Sequence, residues 1–549
     1  MKIRFCGAAT GVTGSCHLIS TEKHKVLFDC GQFQGGKDAD KLNEMQFPFD
    51  PVEIEAVIVS HAHIDHCGRL PLLVKRGFKG AIYSTVATAD LLDVMLKDAA
   101  HIQEQDAERV NRKNQRAGKP EIEPLYDTDD ALATLKFVHP VNYDTLVELN
   151  DQMKICFNEA GHILGSAIIE LWVSEGEATE KIVFSGDLGM LNRPILRDPK
   201  FIKKADYLIM ETTYGNRNHE PNPTSVDRLL DIVARTTSNG GTVVIPSFAV
   251  GRTQELIYEL NKIYDGNTEY TKMLRSVPVY VDSPMCVEAT EVFRRNAQDY
   301  DAEMREYILS GDHPLEFKNL HYARTSDESK QINNEKGPKV VISASGMCDA
   351  GRIRHHLKYN LWDPKNAVVF VGYQAEGTVG RLLLDGAKSI KLFGEEIACN
   401  ATIYNLPGFS GHADRDALFS WLNGFIKKPK EIFLVHGEMD AKEGFASFVM
   451  EKKGWKAEIV RGYDEYELGF DGAVESASNE TAERDFVERS SAEDLLERLN
   501  NAKANAEDVI ENAKITIGSE LDELRMTEIK NKLAALETEI INLGASVSK

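Results

Sequence analysis

The chain has little of what would tie it to a membrane or to an oxidising compartment. Its 549 residues include only eight cysteines, scattered and without a CxxC pair. In a chain this long, that pattern suggests reduced thiols, a cytoplasmic setting and no disulfide framework, with Cys67 and the other thiols serving as small packing groups. No uninterrupted apolar run is long enough to cross a bilayer. The opening MKIRFCGAATG enters a strand directly, without a signal-peptide core. Positive charge is also short, 64 Lys and Arg against 86 Asp and Glu for a net charge of -22. Contacts to phosphate need cations, so total charge argues against tight non-specific binding of nucleic acid. A local groove is free to differ, because part of the acidic excess falls after Gly472 and bound metal would offset acidic ligands. Gly7, Gly11 and Gly14 have neither the GKS or GKT ending nor the GxGxxG spacing of a phosphate loop. They read instead as a tight or mobile loop.

What the chain does have is a dense cluster of metal donors. Ala56 to Pro71 reads AVIVSHAHIDHCGRLP. Val57, Ile58 and Val59 suit a buried strand, and the abrupt polar turn at Ser60 and His61 puts the donors on its exit loop. His61, His63, Asp65 and His66 place three imidazoles and a carboxylate within six residues, N and O donors that suit zinc or a similar divalent ion. A lone histidine is more often a satisfied core or surface group, but four donors at this density are not.

A tetrahedral catalytic zinc keeps one position for water, so the cluster completes about one ion and begins another. Further donors follow, or lie close to, strand-like segments: Asp29 after Val26 to Phe28, His162 in AGHILGSA, Asp187 in VFSGDLG and His436 in IFLVHGE. A carboxylate at a strand end can bridge two ions, and ions about 3.5 to 4 Å apart can hold a hydroxide for attack on phosphorus or a carbonyl. The pattern points to a hydrolase and not to a structural zinc site.

HAHIDH, with Asp29, His162 and Asp187 in this order, resembles the metallo-β-lactamase superfamily of dinuclear zinc hydrolases. Glu211 in METTYGNR, His412 in SGHAD and His436 in LVHGE are similar to three further motifs of its β-CASP branch of nucleases. The resemblance spans residues 1 to about 470 and implies an α/β fold. An αββα sandwich is expected from residues 1–215 and 389–472, an inserted parallel α/β β-CASP domain from 216–388, and a helical tail from 473–549.

The resemblance also implies two Zn2+ per chain. His61, His63 and His162 would hold one, and Asp65, His66 and His436 the other. Asp187 would bridge them, and Asp29 would orient ligands from behind. A shared hydroxide would attack phosphorus with Asp65 orienting it, and His412, paired with Glu211, would protonate the leaving 3′ oxygen. In this branch a histidine at the position of His436 accompanies RNA substrates, while DNA-repair members carry an apolar residue. The expected activity is therefore zinc-dependent hydrolysis of single-stranded RNA, endo and/or 5′–3′ exo, leaving a 5′-phosphate and a 3′-hydroxyl. The alternatives are a DNA nuclease of the same fold, a catalytically silent RNA-binding subunit, and a thioester or small-ester hydrolase, which would leave the insertion unexplained.

The insertion also shows in the periodicity. Strands expected at 242–245, 278–281, 339–342 and 367–371 alternate with amphipathic helices near 224–237, 252–264 and 286–297, as in parallel βαβ units. Several strands exit into small polar clusters: PSFAVGR, DSPM, SASGMCDAGR and GYQAEGTVGR. Ligands of parallel α/β sheets bind beyond the strands' carboxyl ends, and such a rim suits phosphates. Arg252, Arg352 and Arg381 could grip them, with hydroxyls from Ser247, Ser343, Ser345 and Thr378; turn and cap chemistry would use the same hydroxyls. Residues 87–113 read as a helical lid or flank, in which His101 has no neighbouring donors and is structural. Beyond Gly472, capping boxes at Ser490 and Ser519 open two helices with heptad seams through Leu495 to Ala513 and Ile529 to Leu543. A hairpin packed on itself or a homodimer would bury those seams, and self-association is expected.

Overall fold

Lys2–Phe5 sets the pattern of the first sheet: Ile3 and Phe5 are buried while Lys2 is exposed, the period of a strand with one face on a core. This strand sits in an eight-stranded sheet ordered Val474–Ala477, Glu465–Leu468, Lys2–Phe5, His17–Ser20, Lys25–Phe28, Ala56–Ile58, Ala81–Thr85 and Val138–Val141. The computed structural model describes residues 1–35, 38–220, 222–309, 313–469 and 474–477. The tail helices, their capping boxes and the homodimer seam expected beyond Gly472 lie outside the described residues.

A second, seven-stranded sheet runs Glu458–Ile459, Glu431–Val435, Tyr207–Glu211, Ala178–Phe184, Ala167–Glu175, Met153–Glu159 and Val147–Glu148. The two sheets share one apolar core, in which Ile3, Phe5, Val26, Phe28 and Ile58 meet Phe157, Ile169, Phe184, Ile209 and Phe433. Phe28 and Phe184 stack across it with centroids 5.3 Å apart. On the outer face of the first sheet, Leu27, Val57 and Ile82 join a cluster with Leu70, Leu73, Leu91 and Met95 from the helices Leu70–Lys75 and Val86–Ala117. Leu208, Met210 and Leu434 of the second sheet pack on Leu418, Trp421 and Phe445 of the helices Arg415–Leu422 and Met439–Lys453. The layers are thus helix, sheet, sheet, helix, as expected.

The third sheet has six strands, ordered Leu320–Tyr322, Val279–Val281, Lys339–Ser343, Thr242–Pro246, Ala367–Phe370 and Thr402–Asn405. Every neighbouring pair in it is parallel. Its central strands are buried along their whole length, so they read as continuous apolar runs and not as alternation. Thr402–Asn405 pairs with Ala367–Phe370, so this sheet continues past Lys388. The edge strand Val138–Val141 begins just after a short helix. Asp127 and Asp130 close a capping box that starts the helix Thr128–Leu135, which takes up the residues before it. The helix expected at 87–113 runs over Val86–Ala117, opened by Thr85 accepting from the Thr88 N–H and closed at Gly118 with φ +65°.

Candidate metal centre

The donors sit on loops at strand ends, and hydrogen bonds from behind hold each loop. Asp29 follows Lys25–Phe28 at φ +58°, a left-handed conformation that aspartate tolerates better than most residues. One of its oxygens accepts from the Ser60 N–H at 2.7 Å, and the other from Ser15 Oγ and Ser60 Oγ, both at 3.0 Å. That second oxygen also lies 2.7 Å from His66 Nδ1. This leaves His66 Nε2 facing forward. Gly31 permits the approach: a Cβ there would come within 1.6 Å of the Asp65 carbonyl oxygen. On the far side, His436 follows Glu431–Val435 at φ +48°, with Thr213 Oγ1 3.1 Å from its Nδ1.

Forward of these supports the donors close into two groups. His61 Nε2 and His162 Nε2 lie 3.1 and 3.2 Å from His63 Nδ1, and 3.5 and 3.6 Å from Asp187 Oδ2. His66 Nε2 lies 3.1 Å from His436 Nε2 and 3.4 Å from the same Asp187 oxygen, and Asp65 Oδ2 is 3.5 Å from His436 Nε2. Four donors about 2.0 to 2.1 Å from one tetrahedral zinc stand about 3.3 Å from each other, so these separations have the size of ligand edges. One oxygen of Asp187 is common to both groups.

The protonation pattern also fits a cation. Burial, aided by repulsion from His66 and His412 respectively, holds His61 and His162 well below the usual imidazole range. Burial brings His63 down to about 4. These three rings are therefore neutral, the form that ligates. Burial opposes ionisation of Asp187, but His436 and His66 outweigh it and hold the carboxyl well below its ordinary value. Asp187 Oδ1 is buried without a hydrogen-bond donor. His66 is raised, against its burial, by Asp187 and Asp29. A cation among these carboxylates would take the place of its proton. The residues present therefore fit a metal, and the chemistry of the donor set is that of a hydrolytic centre.

Glu211 ends the strand Tyr207–Glu211, in register with Val435. Its Oε1 accepts from the Leu188 N–H at 2.6 Å and lies 3.4 Å from His412 Nδ1. The His412 loop is fixed by the Ala413 N–H donating to the Leu188 carbonyl at 2.7 Å. Gly189, paired with His412, lets the Asp187 loop approach the His162 loop, since a Cβ there would meet the Gly161 oxygen at 1.8 Å. Burial lowers the His412 pKa, but Glu211 and Asp187 overcome this and lift it to about 8. Most ligand side chains are buried, whereas His63, Asp65 and His412 are partly exposed, the last two at 19% and 17%, and these three mark the open edge of the centre.

That edge forms the floor of a cavity of about 320 Å³ between the sandwich loops and the inserted unit. Of the seven residues singled out for phosphate, Arg252 and Ser345 line it. The others are engaged elsewhere. Ser247 accepts from Thr253, and Ser343 donates to the Asp282 carbonyl. Arg352 is bound to Asp282 and two carbonyls, Thr378 caps the helix Val379–Leu384, and Arg381 pairs with Asp385 on its own helix. His101 is exposed beside Gln105, away from the centre.

Sequence reading missed several residues. Ser15, Ser60 and Thr213 support Asp29 and His436, and nothing local distinguishes them from turn residues. Arg193 pairs with Glu255, which Arg252 also contacts, and donates to the Gly408 and Phe409 carbonyls, tying the sandwich to the insertion. Arg252, pushed down by burial to about 10 and partly restored by Glu255, stays charged at neutral pH.

Residues 9–149 match the family model described as the metallo-beta-lactamase superfamily, residues 253–383 the Beta-Casp domain, and residues 396–460 the Zn-dependent metallo-hydrolase RNA specificity domain. The chain is 38% identical over 440 residues to Ribonuclease TTHA0252 of Thermus thermophilus, covering 80% of this chain and 93% of that one. It is 32% identical over 459 residues to the transcription termination factor FttA of Methanocaldococcus jannaschii, covering 82% and 69%.

Proposed function

Because the chain belongs to the Beta-Casp branch of the metallo-β-lactamase superfamily, we propose that it is a zinc-dependent ribonuclease that hydrolyses phosphodiesters of single-stranded RNA. The observation that carries this reading is the convergence of His61, His63, His162 and Asp187 in one group and of Asp65, His66 and His436 in another, with one Asp187 oxygen within 3.6 Å of His61, His162 and His66. His61, His63 and His162 would hold one zinc, Asp65, His66 and His436 the other, with Asp187 common to both. When bound, such a pair supplies Lewis acidity and a water acidified toward neutral pH.

The chain's own groups do the rest. Asp65, at the open edge, orients the attacking water. His412, its Nδ1 turned to Glu211 and Asp187, presents Nε2 to the cavity and protonates the leaving 3′ oxygen. Arg252 and Ser345 hold substrate phosphates on the cavity wall. The apolar surroundings strengthen each of these interactions by excluding water. RNA rather than DNA is supported by His436 and by the RNA specificity match over 396–460.

The division at 1–215, 216–388, 389–472 and 473–549 serves the same reading, with Thr402–Asn405 counted in the inserted part because it pairs there. Eight free cysteines suit a reducing cytoplasm. No helix among the described residues is long and apolar enough to cross a membrane. Self-association through 473–549 belongs to the proposal as well. The test replaces Asp65 and His66 together with alanine. Cleavage of single-stranded RNA should be abolished with the circular dichroism spectrum retained, and wild-type protein should cut RNA faster than matched DNA. Persistent cleavage by the double variant, or equal cleavage of DNA, rejects the assignment.

A further inference from the structure

The helix Val86–Ala117 is longer than its packing requires. Its 32 residues extend about 48 Å at about 1.5 Å each. Buried side chains occur along it from Ala87 to Ala107, and the ten residues 108–117 have none. About three turns of helix therefore project past the last buried position, where no core holds them. The projecting part is sorted by charge. Residues 109–119 carry five cations, Arg109, Arg112, Lys113, Arg116 and Lys119, and no acid, in a chain of net charge -22. All five are exposed.

Local structure uses only part of this charge. Arg109 pairs with Asp106 at 2.9 Å and Arg112 with Glu108 at 4.0 Å, whereas Lys113, Arg116 and Lys119 have no ion-pair partner among the described residues. Cations suit the C-terminal end of a helix dipole, but that benefit is confined to the last turn, and Arg109, Arg112 and Lys113 stand before it. The direction of the charge is also defined. Met95, Asp98, Ala99 and Ile102 line the cavity above the metal centre at the three- and four-residue spacing of one helix face. Continued outward, the same stripe passes Asp106 and reaches Arg109, Lys113 and Arg116, with Lys113 about five whole turns beyond Met95. The far side of the helix is covered instead. There the Asn111 side-chain amide exchanges two hydrogen bonds with the Ile122 backbone, both 2.8 Å, and Asn114 donates to the Pro120 carbonyl at 3.0 Å. The returning segment is thereby pinned away from the basic stripe.

A line of exposed cations continuous with the wall of a cleft complements an extended polyanion that enters the same cleft. From Ile102 at the cavity to Arg116 the stripe runs about 21 Å, the reach of several nucleotides and not of a mononucleotide. Resting on the ribonuclease reading, we infer that the RNA strand being cut continues out of the cleft along this stripe. Its backbone phosphates lie on Lys113 and Arg116, with Lys119 beyond the helix cap at Gly118. Such contacts act through charge, so they hold and orient the strand without reading its sequence.

Two measurements on the full chain test this. One is the kinetics of cleavage of single-stranded RNAs of about 6 and about 30 nucleotides, below and above the span of a binding groove. The other is fluorescence anisotropy of the same labelled strands with Asp65→Ala and His66→Ala added, so that binding is read without cutting. Lys113→Gln with Arg116→Gln removes both charges and keeps good helix formers at both positions. This double variant should raise KM for the long strand about tenfold while kcat, and both constants for the short strand, stay unchanged. Each lost phosphate contact lowers the slope of log affinity against log salt by about 0.7, so from about 50 to about 200 mM salt the wild-type stripe should lose about sevenfold more affinity than the variant. Lys113→Glu with Arg116→Glu should weaken the long strand further. Equal losses for the two lengths, or an unchanged salt slope, overturn the inference. Long-strand affinity untouched in both double variants also overturns it, and leaves the stripe to an acidic protein partner. RNA cleavage that is indifferent to these substitutions sinks the stripe alone. A reduced salt slope in a protein whose wild type cuts no RNA sinks the ribonuclease reading and leaves the stripe standing.

Discussion

Asp29 touches no cavity, yet its carboxylate takes three hydrogen bonds and sets which nitrogen His66 presents. Removing such an orienting partner typically costs about 10- to 100-fold in metal affinity. Asp29→Ala is therefore expected to release zinc to a competing chelator at concentrations about 10- to 100-fold lower than the wild type needs. Unchanged affinity would mean that Asp29 is merely a buried turn residue. His412 makes a second case at this scale. Its pKa of about 8 means the ring is fully protonated below the ordinary imidazole value and loses its proton as pH rises through about 8, so kcat should fall along that limb. Glu211→Gln removes the first of the three carboxylates that raise it, and should move the limb to lower pH in a kcat profile. A limb that stays in place would take His412 out of the proton transfer. The donors themselves were legible because their meaning is local, four ligand types within HAHIDH and single acids or imidazoles at strand ends. Thr213 and Arg193 were not legible, since each acts through partners about 200 or more residues away in sequence, or on another unit.

Elements place these side chains by ending where they do. Ala178–Phe184 ends three residues before Asp187, and Phe184 anchors that end by stacking on Phe28 between the sheets. Phe184→Ala is expected to destabilise the protein by about 3 to 5 kcal/mol, seen as a lower midpoint of urea denaturation, and to weaken zinc retention because the Asp187 loop loses its footing. A midpoint shift with no change in zinc retention would separate the core from the centre. Most strands and the long helix were legible from periodicity. The helix Thr128–Leu135 carries its own start signal, a capping box between Asp127 and Asp130, that the periodicity of so short a segment does not show. Thr402–Asn405 was assigned to the sandwich because a short, half-exposed edge strand carries no pattern that tells one sheet from another.

On the scale of the whole molecule, a chain of net charge -22 is an unlikely-looking partner for RNA until its charges are located. Several carboxylates are turned inward at the centre, where cations would neutralise them, and Arg252 stands in the cavity wall. Two halves of a sandwich separated in sequence by a parallel α/β unit make a cleft that neither half could form alone. That arrangement was legible in outline from the order of the motifs. The cavity and its apolar wall were not, because facing surfaces from distant segments leave no spacing to read. The claim on which everything else rests is the pair of ions sharing Asp187. Anomalous diffraction at the zinc edge tests it directly on crystals of the full-length protein. Two peaks about 3.5 to 4 Å apart on either side of Asp187 are the result the account predicts. No peak there, or a single one ringed by only one of the two ligand groups, would contradict it.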